Sequence, residues 1–484
     1  MPTSKAQTTP SSQVGKEKRG GKLLLGIVLA FALLGACNAA LTYILEPYGS
    51  ISQVEWAHYH ELDELDTLII GSSYVQQAIN PLMLDEVCST QSFCLGTPQQ
   101  RIEDTFVGIR TAYEDYGIKR AILGISPSAY TDSAPPSANS AFLKNWRQYA
   151  SPAQAASVTA NMLFYQNGWS VEESINSLFS WKNYHVTLRP TNIANNLRNK
   201  MNQIDLVEAI DSLEEGWVYI GRGHGTSTYW LDKNWAAAEP FDTMLGDDLD
   251  KLGGRMVAAD RERTLRQICQ YCADNAIELI VVMLPMPTYN ILDEESSCFG
   301  IMDAIADILV DYDVPLYDFN CLKRSYFEPD PALFSDSTHL NLEGSELFTQ
   351  VFAQFYADWM AGNKVDDYFV SREEALGSVT DVSVLFAEAS ANDDEVLVDC
   401  RAVAGPGVAV EYRLCTYVGD DLEVSRWADP YEDEASWQVV VDWTSDTQLA
   451  FTPDEHGVQH LRAQARTAGS NGPFERYRDV EVLY

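Results

Sequence analysis

The sequence predicts a doubly wound α/β domain built on a parallel sheet. A helical insertion interrupts it, a transmembrane helix precedes it and an all-β sandwich follows it. Three observations predict this. Short apolar runs alternate with helical stripes between residues 67 and 362. From Val379 the texture changes to short alternating runs split by Gly, Asp and Asn. Leu23 to Leu45 is 23 residues without a charge.

A chain of 484 residues exceeds one ordinary core, so several domains are expected. Its 46% hydrophobic and 11% aromatic content describe a globular protein. The net charge of -37 argues against nucleic acid as a partner, because phosphate binding needs basic patches. The acid excess reads as a solvated, self-repelling surface. Calcium binding is the sharper alternative, but no EF-hand spacing is present.

The exception to that charge is the amino terminus. Residues 1–22 hold Lys5, Lys16, Lys18, Arg19 and Lys22 against Glu17. A basic tail before an apolar run of 23–45 predicts a single-pass anchor with its amino terminus in the cytoplasm and the bulk outside. The rival is a cleaved signal, since Leu34-Gly35-Ala36-Cys37 resembles a lipoprotein cleavage box with Cys37 carrying the lipid. The uncleaved anchor is favoured because the apolar run continues through Leu41, Tyr43 and Leu45. Residues 46–66 read as a polar juxtamembrane segment, with His58 and His60 on its surface.

Eight cysteines remain beside Cys37: Cys88, Cys94, Cys269, Cys272, Cys298, Cys321, Cys400 and Cys415. Their pairing cannot be deduced from spacing alone. The favoured bridges are Cys88–Cys94 and Cys400–Cys415, each flanking a short turn-rich or strand segment. Leu265, Ile268, Cys269 and Cys272 share one helical face, which favours a packed stripe over a metal or redox pair.

Taken in order, Thr67 to Ile70 predicts a first buried strand that stops at Gly71. Asn80-Pro81 then opens a helix, Asn as cap and Pro in the first turn, ending near Val87. Ser92 to Gly96 predicts the second strand. Ile102, Phe106, Ile109 and Tyr113 stripe a helix, and Arg120 to Ile125 predicts the third strand, ending at Ser126-Pro127. An insertion, 128–256, follows, with helical pieces near 152–165, 170–180 and 192–213 and a Gly-rich segment from Gly216 to Gly225 that carries Arg222 and His224. It either shapes a substrate cleft or merely covers the sheet. His224 is a possible extra site residue, but a loop His there is more often solvated. A helix over 258–276, a strand over Glu278–Leu284, a helix over 297–312 and a strand over Pro315–Tyr317 resume the alternation. Leu347, Val351 and Phe355 stripe the last helix. Five strands with helices between them predict a flavodoxin-like order. Residues 363–378 read as a polar linker. Residues 379–484 predict the sandwich, in which Tyr412, Trp427, Trp437 and Trp443 are core aromatics or, alternatively, a carbohydrate platform.

Two short motifs carry chemistry. Gly71-Ser72-Ser73 sits where open α/β sheets place their sites, at the carboxyl end of a buried strand. Asp336-Ser337-Thr338-His339 offers an Asp one turn before a His. A serine hydroxyl needs a base to become a nucleophile, and a carboxylate fixes the imidazole tautomer. Ser73 is thus the candidate nucleophile, His339 the base and Asp336 its orienter. The amides of Ser73 and Gly96 are candidate oxyanion donors. No HExxH or clustered His supports a metal hydrolase, and neither metal nor cofactor is expected.

Over about 67–360 the chain resembles the SGNH (GDSL-type) hydrolases: Gly-Ser-Ser after the first strand, Gly after the second, Asp-x-x-His before the last helix. The run Leu68 to Pro81 is most similar to membrane-anchored surface members that assist alginate O-acetylation or teichoic acid D-alanylation. The resemblance implies the same three roles for Ser73, His339 and Asp336. Two departures stand out. Position 72 is Ser where the family usually has Asp. Gly124-Ile125-Ser126-Pro127 stands where the family's Asn donor is expected, leaving Ser126 as a partial substitute. The implied function is an extracytoplasmic serine esterase or O-acyltransferase acting on a cell-envelope glycan or related polymer, and the resemblance also implies a multi-pass acyl-donor membrane protein as a partner. The alternative is a catalytically degenerate surface protein that binds glycan or assembles with a membrane partner.

Overall fold

The computed structural model describes residues 13–132, 137–166, 170–172, 175, 179, 181–182, 189–211, 216–230, 249–292, 297–392, 395–418 and 436–484, with side chains from Lys22 onward. Along the chain the first strands are β1 (Thr67–Ser72), β2 (Ser92–Thr97) and β3 (Arg120–Ile125), then a hairpin of β4 (Trp217–Gly221) and β5 (His224–Ser227), then β6 (Glu278–Met283) and β7 (Leu316–Asp318). Five of them form one parallel sheet in the order β2-β1-β3-β6-β7. Numbered among themselves these run 2-1-3-4-5, a flavodoxin-like order that right-handed crossovers permit.

The main helices are α1 (Gln13–Leu45), α2 (Ile51–Tyr59), α3 (Ser73–Ala78), α4 (Pro81–Cys88), α5 (Ile102–Tyr116), α6 (Pro190–Asn202), α7 (Ala259–Asp274), α8 (Cys298–Val310), α9 (Leu342–Met360) and α10 (Arg372–Gly377). Strand residues point alternately to two apolar layers. Leu68, Ile70, Leu123 and Val281 pack with Ile109 of α5, Leu265 of α7 and Ile305 of α8. Ile69, Ile122 and Ile280 pack on the other face with Leu84 of α4 and Phe348, Phe352 and Phe355 of α9. Cys269 and Cys272 sit in the first layer, as the helical stripe predicts.

Four expectations need correction. The segment 46–66 is no polar lead-in: α2 buries Val54, Trp56 and Tyr59 completely in the sheet's first layer or against the insertion. His60 is exposed and stacks on Tyr149, but His58 is half-buried and bonds the Tyr219 hydroxyl. The helix expected to end near Val87 is two helices, α3 and α4, with Asn80 capping the second through the Leu82 amide. Residues 363–378 are no loose linker. Val365 and Tyr368 join the second apolar layer, and α10 occupies Arg372–Gly377.

The favoured disulfides are absent. Cys94 is buried inside β2, whereas Cys88 ends α4 with its thiol donating to the Ala353 carbonyl. The second pair is divided by strand alternation. Cys400 faces the sandwich core, while Cys415 follows core-facing Leu414 and so lies on the opposite face, against Gln464. Burial pushes the thiols of Cys269, Cys272, Cys321 and Cys400 up to about 12, which keeps them protonated and unreactive. Melting of the folded chain is therefore expected to shift by less than about 1 °C on adding dithiothreitol, since no cross-link constrains the unfolded state. A fall of several degrees would restore a disulfide.

The insertion's described parts include Pro152–Ala160, continuing as a π-helix over Asn161–Gln166, and two helices, α6 and Leu206–Asp211, in place of one over 192–213. The piece expected over 170–180 lies mostly outside the described residues. The carboxyl-terminal unit is antiparallel, as predicted. It comprises β8 (Val382–Ala391), β9 (Val396–Ala404), β10 (Val410–Tyr417), β11 (Trp437–Thr444), β12 (Gln448–Phe451), β13 (Val458–Thr467) and β14 (Arg476–Leu483). Sheets β11-β10-β13-β14 and β12-β9-β8 enclose a core that includes Tyr412. Trp437 and Trp443 do not offer an open platform. The Arg462 guanidinium lies 4.2 Å from the Trp437 ring centre and that of Arg466 4.0 Å from Trp443. Trp427 lies outside the described residues.

Candidate active site

Three glycines build the floor of the site. Gly71 and Gly96 are register partners, and Gly124 follows Leu123, the partner of Ile70, so all three lie level across β2, β1 and β3. A Cβ at Gly124 would sit 2.7 Å from Val75 Cβ, and one at Gly96 2.9 Å from Val75 Cγ1. One at Gly71 would sit 2.6 Å from the Gly124 carbonyl oxygen. Without side chains there, the first turn of α3 rests directly on the strand ends.

Ser73 is the first residue of that turn. Its Oγ lies 2.8 Å from Nε2 of His339. His339 Nδ1 lies 2.8 Å from Oδ2 and 3.0 Å from Oδ1 of Asp336. The structure thus brings Ser73, His339 and Asp336 into one continuous relay across 266 residues of chain. Asp336 also accepts from the amides of Thr338 and His339, at 2.8 and 2.9 Å. Burial alone would raise its pKa. The hydrogen bond and charge of His339, with those two amides, outweigh burial and hold the carboxyl below its ordinary value. It therefore stays ionised, as an orienter of the imidazole must, and with its side chain 52% exposed water supports the same charged form.

The loop that carries His339 is clamped at several points. Ser335 N donates to the His339 carbonyl, and Asn341 N to Leu333. Asn341 caps α9 through the Gly344 amide. Gly344 is required there, because a Cβ would fall 2.0 Å from the Leu333 carbonyl oxygen. The insertion adds a further strut: the Thr226 hydroxyl on β5 donates to the carbonyl of Leu340, next to His339. The hairpin itself docks on the free edge of β2, where the Cys94 amide donates to the Arg222 carbonyl.

Of the proposed oxyanion donors, the Ser73 amide opens α3 and has no intrahelical acceptor. Gly96 lies one strand over, level with Gly71. Ser126 is buried at the end of β3, but its hydroxyl already meets Ser128 Oγ at 3.0 Å. Two neighbours escaped the sequence reading. The ring of Tyr74 lies 5.1 Å from that of His339, and its hydroxyl reaches Thr338 and Ser126. Thr338 Oγ1 meets Asp336 Oδ1 at 3.0 Å and His339 Nδ1 at 3.1 Å. Only their adjacency to Ser73 and His339 could have flagged them.

His224 is not the solvated loop residue expected. It is 1% exposed, with Nδ1 2.6 Å from the Gln76 carbonyl and Nε2 3.3 Å from Ser345 Oγ. Burial pushes its pKa down to about 4, so it is a neutral strut between hairpin, α3 and α9. The folded state refuses a proton that the unfolded chain accepts below about 6.5. Its contribution is full above that pH and is lost as pH falls toward 4, by about 3 kcal/mol. Urea unfolding of His224→Gln beside the parent at pH 7 and pH 4.5 should show a smaller deficit at the lower pH. An unchanged deficit would refute the assignment.

Helix α3, which begins at Ser73, is also tied to α2. Gln76 Nε2 donates to Glu55 Oε1 at 2.6 Å, both side chains being fully buried. Burial raises the pKa of the Glu55 carboxyl well above its usual range, against the opposing hydrogen bond from Gln76. Neither the cavity of about 230 Å³ beside Phe319 nor the cleft of about 460 Å³ beside Tyr48 is lined by the three relay residues.

No protein-family model matches the chain, and no curated protein matches it. Among solved structures it overlaps a protein assigned to the G-D-S-L lipolytic family from Desulfitobacterium hafniense, at 8% identity over 60% of this chain and 99% of that one, with a TM-score of 0.26. It also overlaps the psychrotrophic esterase EstA from Pseudoalteromonas, at 9% identity over 61% and 99%, with a TM-score of 0.26. An acylhydrolase assigned from Bacteroides fragilis overlaps at 9% identity over 62% and 92%, with a TM-score of 0.27. Overlaps this shallow carry no argument about chemistry, which rests on the geometry above.

Proposed function

We propose that this chain is a serine ester hydrolase or O-acyltransferase of the SGNH type. The observation that carries the reading is the unbroken relay from Ser73 Oγ through His339 to Asp336. Ser73 Oγ attacks the ester carbonyl while its proton passes to His339 Nε2. The amides of Ser73 and Gly96 receive the developing oxyanion. The leaving alkoxide takes the proton from His339, and an acyl-Ser73 remains. Water or a sugar hydroxyl, deprotonated by the same imidazole, then takes the acyl group and restores the hydroxyl.

The substrate we propose is an ester on a cell-envelope polymer. Support comes from α1, whose segment Lys22–Leu45 is long and apolar enough to cross a bilayer and would hold the site at a membrane surface. A membrane-embedded acyl donor would suit the transferase form. A second reading, a glycan-binding protein without turnover, is favoured by one observation: the Ser126 hydroxyl is engaged with Ser128 where a side-chain oxyanion donor is wanted. Fluorophosphonate labelling of the full chain in detergent separates the two. Labelling that maps to Ser73 and is lost in His339→Ala supports the enzyme. An unlabelled, folded chain supports the binder.

A further inference from the structure

We propose that the cleft between the end of α1 and helix α6 binds the phosphate headgroup of an anionic phospholipid. The inference rests on reading α1 as a membrane span.

The cleft encloses about 460 Å³. Its apolar side is Leu45 and Ile193, and its polar side is Asn195, Asn199 and Arg198. Its height is fixed by α6. Asn196 Nδ2 donates to the carbonyls of Ile44 and Glu46, at 3.2 and 2.6 Å. The Lys200 ammonium donates to the carbonyls of Tyr43 and Glu46, at 2.5 and 2.6 Å. These are the carbonyls at which the apolar segment Lys22–Leu45 ends. A bilayer crossed by that segment has its headgroups at this level, and the cleft with them.

The charge fits a phosphate. Between residues 174 and 204 the sequence has Lys182, Arg189, Arg198 and Lys200 but no Asp or Glu, in a chain of net charge -37. Among the described residues Arg198 makes no ion pair, so its guanidinium is available for a bidentate contact with phosphate oxygens. The side-chain amides of Asn195 and Asn199 add neutral donors, and Leu45 with Ile193 suits the glycerol and first methylenes of a lipid. A soluble anion would have no use for the apolar half of the cleft.

The test uses the full chain in mild detergent with equimolar phosphatidylglycerol and phosphatidylcholine, read by native mass spectrometry. One phosphatidylglycerol should be retained at least ~10-fold over phosphatidylcholine, and Arg198→Gln should abolish the preference. Arg198 is exposed, so this variant should keep its circular dichroism and its Ser73 labelling. Equal retention of the two lipids, or an unchanged preference in Arg198→Gln, overturns the site. Displacement of the lipid by millimolar inorganic phosphate would also overturn the lipid assignment, making a free anion the ligand. Retention of a membrane protein partner in place of lipid would overturn it too. Alkaline carbonate extraction distinguishes the premise. Release of the chain from membranes sinks the anchor reading, whereas an integral chain without lipid preference sinks the headgroup site alone.

Discussion

Ser73→Ala is expected to lower kcat for ester hydrolysis by ~10⁴-fold or more, with KM nearly unchanged. In the proposed mechanism the serine would contribute the bond that forms in the transition state and little to ground-state binding. His339→Ala should cost about as much, and the double variant little more, because the two act as one unit. Asp336→Asn should cost less than the ~10⁴ known for a buried triad carboxylate. Here the carboxylate is half exposed, and Thr338 Oγ1 stays near Nδ1 as a second acceptor. Initial rates on p-nitrophenyl acetate, with acyl-enzyme trapping by mass spectrometry, decide this. A Ser73→Ala variant within tenfold of the parent would end the proposal.

Arg261→Met should be the most destabilising of the substitutions considered, by ~3–5 kcal/mol. Arg261 on α7 is fully buried, and its Nη1 lies 2.5 Å from Oε1 of Glu103 on α5, itself 1% exposed. Removing the guanidinium leaves a buried carboxylate whose second oxygen, Oε2, already has no partner. Burial raises the Glu103 pKa, and Arg261 is the first influence opposing it. With that opposition gone, the folded state holds the Glu103 proton more tightly than the unfolded chain does. Stability of the variant therefore rises as pH falls, and the deficit should shrink between pH 8 and pH 5. Replacing both partners, as in Arg261→Met with Glu103→Leu, should recover most of the loss. Urea midpoints across that pH range, with the double variant alongside, test the set. A deficit that grows toward pH 5 would exclude this account.

What was legible in the sequence was what periodicity and local chemistry encode. Thr67–Ile70 and Leu279–Met283 could only be buried strands, and the order of strands followed from alternation and crossover handedness. Ser73 and the Asp336–His339 pair stood out because few residue types do this chemistry at that place. The rest is set by partners distant in sequence. Glu55 interrupts the apolar spacing of α2 because it is buried against Gln76, so the helix reads as polar. Gly96 reads as a possible donor, yet its missing side chain also makes room for Val75. Cys400 and Cys415 look like a pair until strand alternation sends them to opposite faces.

The mounting of the site on α1 has a consequence for what it can reach. Five residues separate α1 from α2, and the Tyr48 hydroxyl among them is bonded to the Ile204 carbonyl. Beyond them α2 is already core, joined to α3 through Glu55 and Gln76. A flexible leash of 20 residues would let an enzyme roam ~25 Å. This chain has no such slack, so with α1 in a bilayer Ser73 keeps one stand-off height and one tilt. On the anchored, ester-cleaving reading proposed above, it would patrol a plane by lateral diffusion without climbing away from it, and its esters would have to be delivered at that altitude.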